Sequence, residues 1–79
     1  MKIKVKYFAA MREASGVNEE VINSNAINPL ELYKELKEKY PLFLDEKHLK
    51  VALNEQYVSF SHPLDDLDTV VFIPPVAGG

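Results

Sequence analysis

The stretch TVVFIPPVAGG, residues 69–79, changes character twice. Thr69 to Ile73 are all β-branched or aromatic, a composition that suits a central, buried strand. Pro74 and Pro75 then stop the ladder, because proline has no backbone N–H to donate and favours an extended, polyproline-like path. Val76 is a single apolar grip, and Ala77, Gly78 and Gly79 carry almost no side chain. Six extended residues span roughly 20 Å. The stretch therefore divides the chain into a domain, residues 1–73, and a projecting tail, residues 74–79, slim enough to thread a narrow channel.

At the other end, KIKVKYF (2–8) alternates with period two. Ile3, Val5 and Tyr7 fall on one face, and Lys2, Lys4, Lys6 and Phe8 on the other, the pattern of a half-buried strand. AAMREASGVNEE (9–20) reads as a short helix or irregular turn ended by Gly16. EVINSN (20–25) reads as a second strand, with residues 17–22 able to pair with the first as a hairpin.

The clearest helical signal begins at Asn28, a good N-cap, with Pro29 at the first helical position and Glu31 placed for a capping box. Leu32, Tyr33, Leu36 and Tyr40 form one apolar stripe, Glu31, Glu35 and Lys39 are spaced for surface pairing, and Pro41 ends the run. LFLDEKH (42–48) reads as a packed loop. LKVALN (49–54) is a strand with Leu49, Val51 and Leu53 on one side, NEQ (54–56) a turn, and YVSF (57–60) a short strand. SHPLDDLD (61–68) is a loop with Leu64 as a core plug. The order strand, strand, helix, strand, short strand, strand predicts an α+β fold of the ubiquitin-like β-grasp type. In it a mixed sheet packs on one main helix, and the last strand runs parallel beside the first.

Composition removes several functions. The 79 residues contain no cysteine, which excludes disulfides, thiolate metal sites and a cysteine nucleophile. A formal net charge of −3 gives nucleic-acid binding no electrostatic support. No apolar run is long enough to span a membrane, and the alternating N-terminus does not resemble a signal peptide, so the expected location is the cytoplasm. Asp65, Asp66 and Asp68 lack the glycine and closing glutamate of a calcium loop and read as a solvated turn. His48 and His62 lie in different loops, and neither has a cysteine nearby to help bind zinc. Ser59 and Ser61 lack a nucleophile elbow. No metal site and no conventional active site is expected inside the domain.

What remains is the end of the tail. Its carboxylate is ionised and a poor electrophile. Activation as an acyl-adenylate would turn it into an acyl donor, and a partner has to supply the nucleotide site.

The segment LNEQYVSFSHPLDDLDTVVFIPPVAGG resembles the C-terminal third of molybdopterin synthase small subunits, the sulfur carriers of molybdenum cofactor synthesis. VKYFAAMREASG resembles the family's opening, and PPVAGG matches its ending. The resemblance implies that Gly79 is adenylated, at the expense of ATP, by a ubiquitin-activating-like adenylyltransferase and then becomes a thiocarboxylate. It implies that Pro74, Pro75, Val76, Ala77 and Gly78 insert into the large subunit. There the sulfur passes to a cyclic pyranopterin monophosphate to build the dithiolene, in an assembly of two small and two large subunits. This chain binds no cofactor itself. One departure is Leu67, where the family often has a glycine; leucine disfavours the positive φ that glycine would permit.

A donor of this kind needs a docking surface beside its tail. With the first and last strands adjacent, Phe8 and Ile73 share the face away from the helix, and Tyr57 begins the short strand. These three are the expected partner-docking residues. Alternatives sharing the same tail are a sulfur carrier for thiamin or transfer RNA thiolation, and a ubiquitin-like protein modifier.

Overall fold

The alternation of KIKVKYF becomes β1 (Lys2–Tyr7), with Ile3, Val5 and Tyr7 buried. The computed structural model describes residues 1–41 and 43–74. After β1 come α1 (Ala9–Ser15), β2 (Glu19–Asn23), α2 (Pro29–Lys39), a 3-10 turn at Glu46–His48, β3 (Lys50–Leu53), β4 (Gln56–Val58) and β5 (Thr69–Ile73). The strands form one five-stranded sheet in the order β2-β1-β5-β3-β4. β1 runs antiparallel to β2 and parallel to β5, and β5 runs antiparallel to β3. The last strand is thus the middle of the sheet, and the expected β-grasp architecture is present.

Capping fixes where α2 starts. The Asn28 side chain accepts the Glu31 N–H at 2.9 Å, and the Glu31 carboxylate accepts the Ile27 N–H at 3.2 Å. Two of the donors around the helix start are satisfied in this way. Leu32, Tyr33 and Leu36 are buried against Ile3, Val5, Tyr7, Val51, Val70 and Phe72 in one core. The expected surface pairing of Glu31, Glu35 and Lys39 does not form. Glu35 instead accepts from Ser24 Oγ at 2.7 Å, and Lys39 pairs with Glu20 at 2.7 Å. Partners from β2 and its loop displace the weak contacts along the helix, each worth only about 0.2–0.5 kcal/mol.

Three other expectations shift. The second strand spans Glu19–Asn23 rather than residues 20–25, and it pairs with β1 over those five residues rather than over 17–22, since Gly16 caps α1 in the left-handed region at φ 79° before the chain enters the sheet. β4 ends at Val58, so Ser59 and Phe60 leave the ladder, and Phe60 stacks on Phe72 at 6.2 Å. β5 is central but buried on one face only. Val70 and Phe72 are buried, whereas Thr69, Val71 and Ile73 remain partly exposed.

Glu20 ties the sheet to the end of α2. Tyr7 and Tyr40 hydroxyls both donate to its Oε2 at 2.7 Å, and Lys39 Nζ donates to Oε1 at 2.7 Å. Burial alone would push this carboxyl up, but the hydrogen bonds from Lys39, Tyr7 and Tyr40 outweigh it and hold the group below the usual glutamate range. Burial, and then the bond to Glu20, push the Tyr7 phenol up, so it stays protonated. A carboxyl lowered in the folded state stabilises the fold above its unfolded value, and that stabilisation disappears as pH falls through the folded value. Denaturant midpoints measured from pH 6 to pH 3 should therefore fall, and fall less steeply in Glu20→Gln.

The turns carry unusual backbone. Asn54 and Glu55 have φ 49° and 72°, the paired left-handed angles of a type I′ hairpin turn between β3 and β4. Leu67 sits at φ 70° with its side chain 74% exposed. The left-handed turn suited to glycine is therefore retained with a leucine in it. Two bonds hold it there: Leu67 N–H to the Lys2 carbonyl at 2.7 Å, and Lys2 N–H to Asp66 Oδ1 at 2.7 Å. Asp68 accepts from the Asp65 N–H at 2.7 Å and from Asn54 Nδ2 at 2.9 Å, so Asp66 and Asp68 serve the turn itself. Relieving the left-handed leucine with Leu67→Gly should stabilise the domain by about 1 kcal/mol, seen as a thermal midpoint several degrees higher.

Candidate functional site: the open sheet face and the root of the tail

Strand register collects the exposed apolar residues on the face opposite α2. Val71 pairs with Lys6 on one side and Ala52 on the other, Ala52 pairs with Tyr57, and Ile73 pairs with Lys50. Tyr7 and Phe72 form the last pair of this parallel register. Phe8 keeps extended backbone at φ −127°, and Ala9 then turns sharply at φ 50° to start α1. That turn leaves Phe8 at the rim of the sheet, 49% exposed, while Tyr57 on β4 is 71% exposed. By alternation along the chain Phe8 follows Lys6, and Ile73 follows Val71, onto one face. Tyr57 shares their face from the far edge, with Val71 and Ala52 bridging the space between. Alternation along the last strand puts Val71 with Ile73 in the sequence, whereas Ala52 was missed. Its signal was available, since Ala52 alternates with Val51 and Leu53 and cannot share their face.

The tail begins at this face. Pro74 follows Ile73 directly, and both line a cavity of about 380 Å³ together with Lys47, His48, Lys50 and Tyr57. Lys50 Nζ lies 5.9 Å from the centre of the Tyr57 ring, within cation–π range. The 3-10 turn that holds Lys47 and His48 is itself fixed by Asp45, whose side chain accepts the Lys47 N–H at 3.0 Å. Pro75, Val76, Ala77, Gly78 and Gly79 lie outside the described residues.

The other polar candidates are not brought together. His62 Nδ1 lies 2.9 Å from the Pro63 carbonyl at the surface, while His48 lines the cavity at the tail root. Ser59 and Ser61 hydroxyls bond each other at 2.9 Å. Among the described residues no three histidine, aspartate or glutamate side chains gather to hold a metal. No helix among them is long and apolar enough to cross a membrane. What the arrangement does offer is a half-apolar sheet face that a partner can cover, with Pro74 directly following its central strand.

A model of the ThiS family matches residues 5–79. The chain is 36% identical over 80 residues to the molybdopterin synthase sulfur carrier subunit of Escherichia coli strain K12, covering 98% of this chain and 99% of that protein. Among solved structures it is similar to a chain in the protein–protein complex of subunits 1 and 2 of molybdopterin-converting factor from Helicobacter pylori 26695. The TM-score is 0.70, the identity 30%, and both chains are covered in full. It is also similar to small archaeal modifier protein 1 from Methanosarcina acetivorans, with TM-score 0.79, 27% identity, and 99% and 96% of the two chains covered.

Proposed function

The chain belongs to the ThiS family, and from that membership we propose that it is the sulfur-carrier small subunit of molybdopterin synthase. The observation that carries this reading is the course of β5. The most apolar strand occupies the centre of the sheet and runs straight into Pro74 at the rim of the open face. A rigid strand aims the tail, and the face beside it gives a partner something to hold.

In this reading Gly79 carries the chemistry. A ubiquitin-activating-like adenylyltransferase joins its carboxylate to AMP with release of pyrophosphate. A sulfur nucleophile then attacks the glycine carbonyl and AMP leaves, and the thiocarboxylate results. Pro74, Pro75, Val76, Ala77 and Gly78 insert into the large subunit. There the sulfur is delivered to the cyclic pyranopterin monophosphate, and hydrolysis returns the free carboxylate. Two small and two large subunits make the assembly. No cofactor is held by this chain; the nucleotide and precursor pockets belong to its partners.

The likeness to the archaeal modifier supports a second reading, in which the activated glycine is joined to lysines of other proteins. Mass spectrometry of the protein purified from its own cells separates the two. A carrier shows the intact chain with one oxygen replaced by sulfur, together with copurifying large subunit. Isopeptide-linked conjugates without the thiocarboxylate would overturn the carrier reading.

Phe8, Tyr57 and Ile73 form the docking surface. Phe8 lies outside the core, so Phe8→Ala should leave the thermal midpoint nearly unchanged. Calorimetric titration should show about tenfold weaker binding to the large subunit, because aromatic anchors at the centre of an interface dominate its affinity. Loss of fold with unaltered affinity would remove Phe8 from the surface.

A further inference from the structure

We propose that the cavity at the tail root is an anion socket, filled by an acidic side chain of the large subunit when the tail inserts. This rests on the carrier reading above and adds to it a charge that the partner must bring. The cavity of about 380 Å³ is walled by Lys47, His48 and Lys50, with Leu49, Tyr57, Ile73 and Pro74 also lining it, and among the described residues no carboxylate lines it. In a chain of net charge −3, a cationic wall without an acid is not a consequence of composition.

Two acids lie near the cavity. Glu46 pairs with Lys37 at 3.2 Å, and Asp45 accepts the Lys47 N–H at 3.0 Å. The bond from the Lys47 N–H, and then the charges of Lys37, Lys47 and His48, hold the Asp45 carboxyl below the usual aspartate range. Among the described residues the ion pairs are Lys4–Glu19, Lys37–Glu46 and Lys39–Glu20, and none of them takes in Lys47 or Lys50.

Geometry then forces the point. Ile73 and Tyr57 belong both to the docking face and to the cavity. A protein that covers the face therefore closes the cavity as well. Closing it takes the Lys47 and Lys50 ammonium groups out of water with only the exposed Asp45, near Lys47, to offset the loss, which is unfavourable. A carboxylate held on the partner at that position offsets the loss and fixes the register of the tail relative to its channel.

The test is calorimetric titration of the large subunit with the wild-type chain, with K47A/K50A and with K47E/K50E, each first shown to unfold at the wild-type temperature. In about 50 mM salt the charge-reversed chain should bind about tenfold more weakly and the alanine chain less severely so. In about 0.5 M salt the differences should shrink to within about twofold. Equal binding of all three chains at both salt concentrations overturns the socket and leaves the carrier reading intact. Tighter binding by the reversed chain also overturns it, and marks the chain's own terminal carboxylate as the occupant. A reversed chain that changes its own oligomeric mass overturns it in favour of a second copy. No binding of the wild-type chain to the large subunit overturns the carrier reading, and the socket with it.

Discussion

A chain ending at Gly78 should transfer sulfur to the precursor at least about a thousandfold more slowly than the full chain, with its thermal midpoint unchanged. The shortened chain still ends in a glycine carboxylate, so the functional group survives. Its position does not, because one residue of extended chain is about 3.5 Å. Misplacing a reacting atom by about 1 Å already costs about a hundredfold. The fold is indifferent to the change, because the sheet ends at Ile73. Single-turnover sulfur transfer, from thiocarboxylate prepared chemically on both chains, measures the effect without involving the activating enzyme. Activity within tenfold of the full chain would show that Gly79 is not the donor.

The second large effect is on stability. Phe72→Ala should destabilise the domain by about 3–5 kcal/mol, measured by urea denaturation. Phe72 is fully buried on the central strand, tilted against Tyr33 at 4.8 Å and stacked on Phe60 at 6.2 Å. It therefore joins α2, β5 and the loop after β4 in one contact. A domain of this length has roughly 4–12 kcal/mol of stability in total, so the variant should be largely unfolded at 37 °C. Its neighbour Ile73 lies on the open face and is only partly buried. Ile73→Ala should weaken docking far more than it weakens the fold. The pair separates the two jobs of adjacent residues on one strand. A loss under about 1 kcal/mol for Phe72→Ala would mean that the core is not centred where the packing places it.

Much of this was legible in the residues. Period-two alternation gave the inward face of β1, the Asn28–Pro29–Glu31 signal gave the start of α2, and the β-branched run 69–73 gave the central strand. These signals are local, and local physics governs them. The mispredicted parts depend on distant partners. Lys39 meets Glu20 of β2 instead of its own helix, which spacing along α2 cannot reveal. The cationic wall at the tail root needs the 3-10 turn, β3, β4 and the end of β5 to meet, so Lys47 and Lys50 looked like ordinary surface lysines in the sequence. Leu67 shows the reverse case. Its side chain argued against a left-handed turn, yet two hydrogen bonds between the Lys2 backbone at the start of β1 and the aspartate loop hold the backbone there.

The place of β5 also bears on how the protein is made. Lys4 and Thr69 are paired across the centre of the sheet, so the strand that completes the core is the last of the five to be synthesised. A nascent chain that has produced β1 to β4 still has a gap where β5 belongs, and long-range parallel pairing of this kind closes slowly. Folding therefore waits until translation has nearly reached the tail. A ribosome that stalls before residue 69 releases a product with neither a closed sheet nor the Gly-Gly stretch, and cellular proteases clear unfolded chains readily. Incomplete copies therefore do not accumulate as folded domains that lack the tail.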